Sequence, residues 1–382
     1  MIKTIFWSIP FVLLTLSTSC STNSGQKEAT LPIFDMETAI GKHIPDTFTW
    51  NSIAEHITYL PIASTSDDVI LGSAQLVYCG KDFYGVVDHK TNTIFLIDQQ
   101  GNVIRSISKK GQGPGEYSMI TYVHIQPQES TIRVFDQRGN KYIIYDLEGN
   151  LQQEIFLKEK KITTPLFISD HYTVAKGQNN ATHKLYVTDK ELNIRESLFP
   201  IDTALTEMEQ LYLTWQLNFC RNRDEAILHY ANEDTVFAVN EAGIQPLCIF
   251  KKGKYRLTDE EAKKPMEITE QGSPYLRSFW LSSIPGYYLV TYMRENRFYD
   301  EIWSRADHRI LSRFSNENGE WGLPLCLPSG KKVRLNSRNL YINGNTVATF
   351  IDALTASDGQ VPGVREEDNP VLIILTLGES PQ

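Results

Sequence analysis

The stretch IFLIDQQGNVIRSI at residues 94–107 returns in altered form as YIIYDLEGNLQQEI at 142–155. Each copy is an apolar strand, a polar turn closing on Gly-Asn, and a second alternating strand, which is the pattern of a β-hairpin. Asp98 and Asp146 hold the same place in the two copies and stand 48 positions apart (146 − 98). Recurrence at about 40–50 residues is the period of propeller blades. The same register continues through KLYVTDKELNIRESLF (184–199) with Asp189, TVFAVNEAGIQPLCIF (235–250) with Asn240, and a degenerate copy, EIWSRADHRILSRF (301–314), with Arg305.

A further strand pair precedes each hairpin: 75–88, 123–136, 166–177, 217–230 and 281–293. Two strands before the hairpin and two within it make the four that a blade requires. Five units are readable between 75 and 314. A sixth assembles from GLPLCLP (322–328), NLYINGNTVATF (339–350) and NPVLIILTLG (369–378), with HITYLPIA (56–63) supplied from the N-terminal side. Strands from both ends of the chain then close the ring and remove the free sheet edge. The expected fold is therefore all-β, a six-bladed β-propeller over 55–380 with one or two short helical insertions. One helix is expected in LTDEEAKKPMEITEQ, where Thr258 and Glu261 have capping-box spacing and Pro265 breaks the helix. The other is expected at 349–356.

The N-terminus carries an address. Lys3 is followed by an apolar stretch from Ile5 to Leu16, then by the small residues Ser17, Thr18 and Ser19 and by Cys20. That stretch has signal-peptide length and is shorter than the roughly 20 apolar residues of a membrane span. Leu16-Ser17-Thr18-Ser19-Cys20 resembles a bacterial lipobox, with its aliphatic residue four positions before the cysteine instead of three. The resemblance implies lipidation of Cys20 after removal of residues 1–19. The polar residues 21–28 open a tether and lead-in over 20–54. The expected location is the cell envelope, the outer membrane above all, with the chain held to the membrane through its N-terminal lipid. Cys79, Cys220, Cys248 and Cys326 show no CxxC or zinc spacing and read as scattered buried thiols, although a Cys220–Cys248 bridge is conceivable.

At GQGPGEY (111–117), after a strand that ends in a basic pair and before a new blade, the chain resembles the six-bladed propeller lipoproteins of gut Gram-negative anaerobes. LPIASTSDDVILGSAQLVY (60–78) resembles that family's entry into blade one, and REEDNPVLIILTLG (365–378) its closing strand. NHL-repeat and TolB-like propellers are related. The resemblance implies a propeller on a lipid anchor and brings no catalytic residue with it.

The net charge of −9 argues against nucleic acid as a partner, since phosphate backbones are gripped by concentrated Lys and Arg. The three glycines of 111–115 do not make a phosphate loop, because Pro114 removes an amide donor and a β-rich segment follows. They read as a turn between blades, with Glu116 and Tyr117 in packing roles. The eight histidines (43, 56, 89, 124, 171, 183, 229 and 308) form no HxH or HExxH pattern, and there is no GxSxG. Asp67-Asp68 and Glu260-Glu261 are neighbours in sequence that read as solvated loop charge. No cofactor is expected and no catalytic residue is assigned. The candidate ligand-binding residues lie in blade five: Tyr275, Arg277, Trp280, Tyr292 and Arg294. Aromatic faces beside Arg forks suit carbohydrate rings, carboxylates or peptide termini. The reading is an envelope-anchored binding module for a carbohydrate, a peptide or an envelope protein. The alternatives are a lactonase-like propeller enzyme with a metal in its channel, and a structural scaffold.

Overall fold

A computed structural model describes residues 31–63, 71–168, 172–178, 181–222, 225–240, 242–264, 272–316 and 320–378. Cys20 and its leader, Asp67-Asp68, His171 and the break at Pro265 lie outside the described residues.

Six antiparallel sheets follow one another along the chain as blades. Blade one holds Ala74–Cys79, Tyr84–Asp88, Thr93–Ile97 and Val103–Ile107. Blade two holds Ile120–Gln126, Thr131–Asp136, Lys141–Asp146 and Leu151–Phe156, and blade three Ile162–Phe167, Thr173–Gly177, His183–Thr188 and Ile194–Pro200. Blade four is Leu217–Asn222, Glu225–Tyr230, Thr235–Asn240 and Gly243–Lys251; blade five is Arg277–Ile284, Tyr287–Arg294, Arg297–Ser304 and Ile310–Ser315. In blade six, Tyr341–Asn343, Thr346–Ile351 and Val371–Leu377 are joined at the outer edge by Ala54–Pro61. The expected closure by both chain ends is thus present.

Burial explains why the sheets close into a ring. Alternating side chains of each blade interlock with those of the next, and six apolar clusters among the described residues sit at the six blade-to-blade seams. Val87 meets Val123 between blades one and two, Tyr142 meets Phe167 between two and three, and Leu185 meets Leu228 between three and four. Phe250 and Trp303 fill the next seam, Ile302 and Val347 the fifth, and Leu372 and Phe95 the last, between blades six and one. Each fully buried side chain of this size contributes about 1.5–3 kcal/mol, so the seams are the core.

The repeated hairpin is turn chemistry. Asp98 Oδ1 accepts from the amides of Gln100 (2.9 Å) and Asn102 (2.8 Å), while Asn102 Nδ2 donates to Oδ2. Asp146 does the same with Asn150, and Asp189 with Asn193. The turn needs a left-handed residue before its Asn, and Gly101 (φ 88°) and Gly149 (φ 86°) supply it. In blade three Leu192 takes that place at φ 62°; it is completely buried, so its packing offsets the backbone cost. GQGPG is a turn too. Glu116 Oε2 accepts from the Gly113 amide at 2.8 Å, and Tyr117 is buried with its hydroxyl on the Lys109 amide and on the Asn92 and Ile107 carbonyls.

Three parts differ from the sequence expectation. GLPLCLP does not enter blade six. NLYINGNTVATF instead folds on itself at Asn343–Thr346 into two of that blade's strands, with Gly344 at φ 61° in the turn. Leu323–Cys326 is left to pair with Lys332–Leu335 as a separate hairpin, tied to the lead-in through Asn51. The lead-in is also more than a tether. Ile33–Asp35 adds in parallel to the outer edge of blade four, and the helix Met36–Ile40 buries Met36 and Ala39 in the seam with blade five. A helix at Glu207–Trp215, with a complete capping box between Thr206 and Glu209, carries the signal read only at Thr258. The two expected helices are short, Asp259–Ala262 and Ala353–Ala356.

Candidate functional site: the central channel

The first strand of every blade lies innermost, and together the six surround a cavity of about 340 Å³. That volume is at the lower end of the range for small-molecule sites. Apolar and aromatic walls come from Leu76 and Val77 of blade one, Tyr122 of blade two, Phe219 of blade four, Trp280 of blade five and Ile342 of blade six.

Among the described lining residues there is no Asp or Glu, and the fixed cations are Arg221 and Arg338. Two of the lining histidines, His124 and His229, do not add charge at neutral pH. Burial, reinforced by the fields of Arg221 and Arg133, holds His124 down to about 3. Burial and the neighbouring Lys252 push His229 well below its usual value. Lys252 is itself drawn down to about 7 by burial; its Nζ lies 2.9 Å from His229 Nε2 and donates to the carbonyls of Ala231 and Glu233. His229 Nε2 also lies 3.1 Å from the Glu233 carbonyl. Cys220 is pushed up to about 12 by burial and rests on the Leu281 carbonyl at 2.9 Å, so it is a thiol and not a nucleophile.

The wall also holds polar atoms with no hydrogen-bond partner: Thr121 Oγ1 from blade two, His229 Nδ1 from blade four, and Ser337 Oγ from the turn before blade six. Buried polar groups normally find partners, but these three atoms are closed off from the cavity itself and so do not mark where an occupant would bind.

The candidate residues named from sequence do not share one place. Trp280 lines the channel. Tyr292 is buried between blades, stacked on Tyr299 with centroids 5.3 Å apart, and donates to Glu301 Oε1 at 2.7 Å. Arg277 is buried against Ser273 Oγ (3.1 Å) and Glu261 (3.5 Å). Tyr275 packs beside Leu257 and Ala262, and Arg294 pairs with Glu295 and lies over the Tyr255 ring. The channel cations, Arg221 and Arg338, come from other blades, and no local motif surrounds either one. All four described cysteines are unpaired. Among the described residues no three His, Cys, Asp or Glu side chains gather into a metal-holding group.

The family described as Domain of unknown function (DUF4934) matches residues 31–376. No curated protein matches the chain. Among solved structures, a Bacteroides fragilis protein provisionally named as exported is similar with a TM-score of 0.65 at 15% identity, covering 92% of this chain and all of that one. A Bacteroides vulgatus member of the DUF4221 family gives 0.48 at 11% identity, over 85% of this chain and 97% of that one. Virginiamycin B lyase from Staphylococcus aureus gives 0.43 at 12%, over 85% and 99%. The first likeness shows the fold; the other two carry no argument about what this chain does.

Proposed function

The chain belongs to the DUF4934 family, and we propose that it is an envelope binding module whose central channel receives a small ligand, with the chain held to the membrane by a lipid on Cys20. The observation that carries the reading is the cavity wall, where all six blades contribute apolar surface to one space beside the two cations Arg221 and Arg338. Catalysis would need an acid, base or nucleophile at the wall. His124 and His229 are held far below the pKa that a general base working near neutral pH needs, and the one thiol is held protonated. Recognition uses what the wall has: shape, apolar area and a few directed donors.

The test is a thermal-shift and ligand-observed NMR screen of the full chain against small acids, sugars and short peptides, repeated with Leu340→Trp, which fills the channel. Hits that disappear in Leu340→Trp support the reading. A screen without hits, or hits indifferent to the filled channel, would overturn it. The anchor is tested separately, because Cys20→Ala is expected to move the protein from the membrane fraction to the soluble fraction.

A further inference from the structure

Arg338 is a solvent-exposed residue at the channel wall, with its guanidinium among a cluster of rings. Its guanidinium carbon is 5.0 Å from the ring centre of Trp280, 4.7 Å from Phe298 and 4.7 Å from Trp321. Trp280 comes from the innermost strand of blade five and Phe298 from its third strand, while Trp321 lies in the connection to blade six. Phe298 and Trp321 are themselves packed with centroids 4.4 Å apart, so the rings form a fixed seat.

The guanidinium makes no side-chain hydrogen bond or ion pair among the described residues; only its backbone amide is engaged, with Asn336 Oδ1. The acidic group that it feels is Asp300, whose two oxygens are already taken by Thr291 Oγ1 (2.6 Å) and the Gly322 amide (3.0 Å). Aromatic faces attract a cation through its π-facing surface and leave the in-plane N–H fork unused. An arginine fork held in place with its donors free is preorganised for a planar oxyanion gripped through two hydrogen bonds. The surroundings agree. No described carboxylate lines the cavity, and Arg221 adds a second positive field that reaches Tyr122, His124 and Tyr341.

We propose that the channel ligand is a carboxylate on an apolar body, with the carboxylate on the Arg338 fork and the body along Leu76, Val77 and Phe219. This rests on the channel-binding reading and specifies its ligand class. A free inorganic anion fits less well, because it leaves the apolar half of the wall uncovered.

The experiment titrates the full chain with a series of arylalkanoates, from phenylacetate to 5-phenylpentanoate, with the matching primary amides, and with inorganic phosphate. The expected result is that at least one acid binds tenfold or more tightly than its amide, that phosphate binds weakly, and that Arg338→Gln removes the acid's advantage while leaving the amide's affinity unchanged. Arg338→Lys keeps the charge without the fork and is expected to lose most of the preference; its melting temperature checks that the fold is retained. Equal binding of acid and amide in the wild type overturns the carboxylate and leaves the channel reading standing. Phosphate binding as tight as the best acid overturns the apolar body. Binding of none of the three probes overturns this ligand class, and the broader screen with Leu340→Trp decides the channel reading by itself.

Discussion

The rim turns of blades one to three and the wall between blades five and six handle charge in opposite ways. At the rim, Asp98, Asp146 and Asp189 each accept from the backbone and side-chain amides of the Asn four residues on. At the wall, the Arg338 guanidinium is held by three rings and bonds to no acceptor among the described residues. A charge satisfied by its own turn is scaffold, and it recurs wherever the turn recurs. A charge positioned by packing and left with free donors is available to something else. Between these extremes lies Glu301 in blade five, buried and fully engaged, but only by partners brought together in three dimensions.

Glu301 offers the largest effect. Its Oε1 accepts from Tyr292 and Arg313 and its Oε2 from Trp303, each at 2.7 Å. Arg313 also donates to the Ala39 and Lys42 carbonyls, which ties the lead-in helix to this blade. Glu301→Ala leaves a nearly buried guanidinium without its counter-charge, and breaking such a pair costs about 3–5 kcal/mol. Urea unfolding should show a lower midpoint at unchanged slope. A loss below about 1 kcal/mol would mean that long-range satisfaction is as dispensable as surface pairing, and the contrast with the rim would collapse.

The next effect separates backbone strain from contact at the seam. A Cβ on Gly101 would lie 2.3 Å from the Pro61 carbonyl oxygen, where the closing strand passes blade one; at Gly243, the equivalent turn of blade four, it would meet nothing within 4 Å. Both residues have positive φ. Gly243→Ala should cost about 1–2 kcal/mol from left-handed strain alone, and Gly101→Ala should exceed it by about 1 kcal/mol or more because backbone must move. Equal midpoints for the two variants would show that the ring seam yields freely there. Smaller again is Tyr117→Phe. Removing a buried hydroxyl that serves the Lys109 amide and two carbonyls should cost about 1–3 kcal/mol, measured against the wild type in the same titration.

Much of the frame was legible because blade hairpins are local. Alternation marks the strands, Gly-Asn marks the turn, and the period counts the blades, so the ring and its closing strand, read at 56–63 and found at 54–61, follow from sequence order. Blade six was assembled from the wrong pieces because Asn343–Thr346 is a tight turn inside what reads as one strand. The lead-in strand at 33–35 was missed because three residues carry no alternation and their pairing is with a distant edge. The candidate site was legible only in part for the same reason. Trp280 drew notice among the aromatics of blade five, but Arg338 sits in a polar turn with nothing local to distinguish it, and its meaning comes from rings that only the fold brings near. Tyr292 and Arg277 look like binding residues in sequence and are engaged by Glu301, Ser273 and Glu261 in space.

The smallest effect tests the rim side of the contrast through pH. The Asn102 side chain and backbone amide, followed by neighbouring amides, hold the exposed Asp98 carboxyl below its ordinary range. A carboxyl whose folded value lies below its unfolded value of about 3.9 adds stability that is fully present above that value. The contribution is lost as pH falls through the folded value. In Asp98→Asn the side-chain oxygen can still accept from the Gln100 and Asn102 amides, so the variant removes the charge and keeps the turn. Melting temperatures should therefore differ slightly at pH 6, with the wild type higher, and the gap should close once the pH is well below about 4. A gap that persisted unchanged into acid would mean that the rim carboxylates act through shape alone. The contrast with Arg338 would then be one of geometry, not of charge.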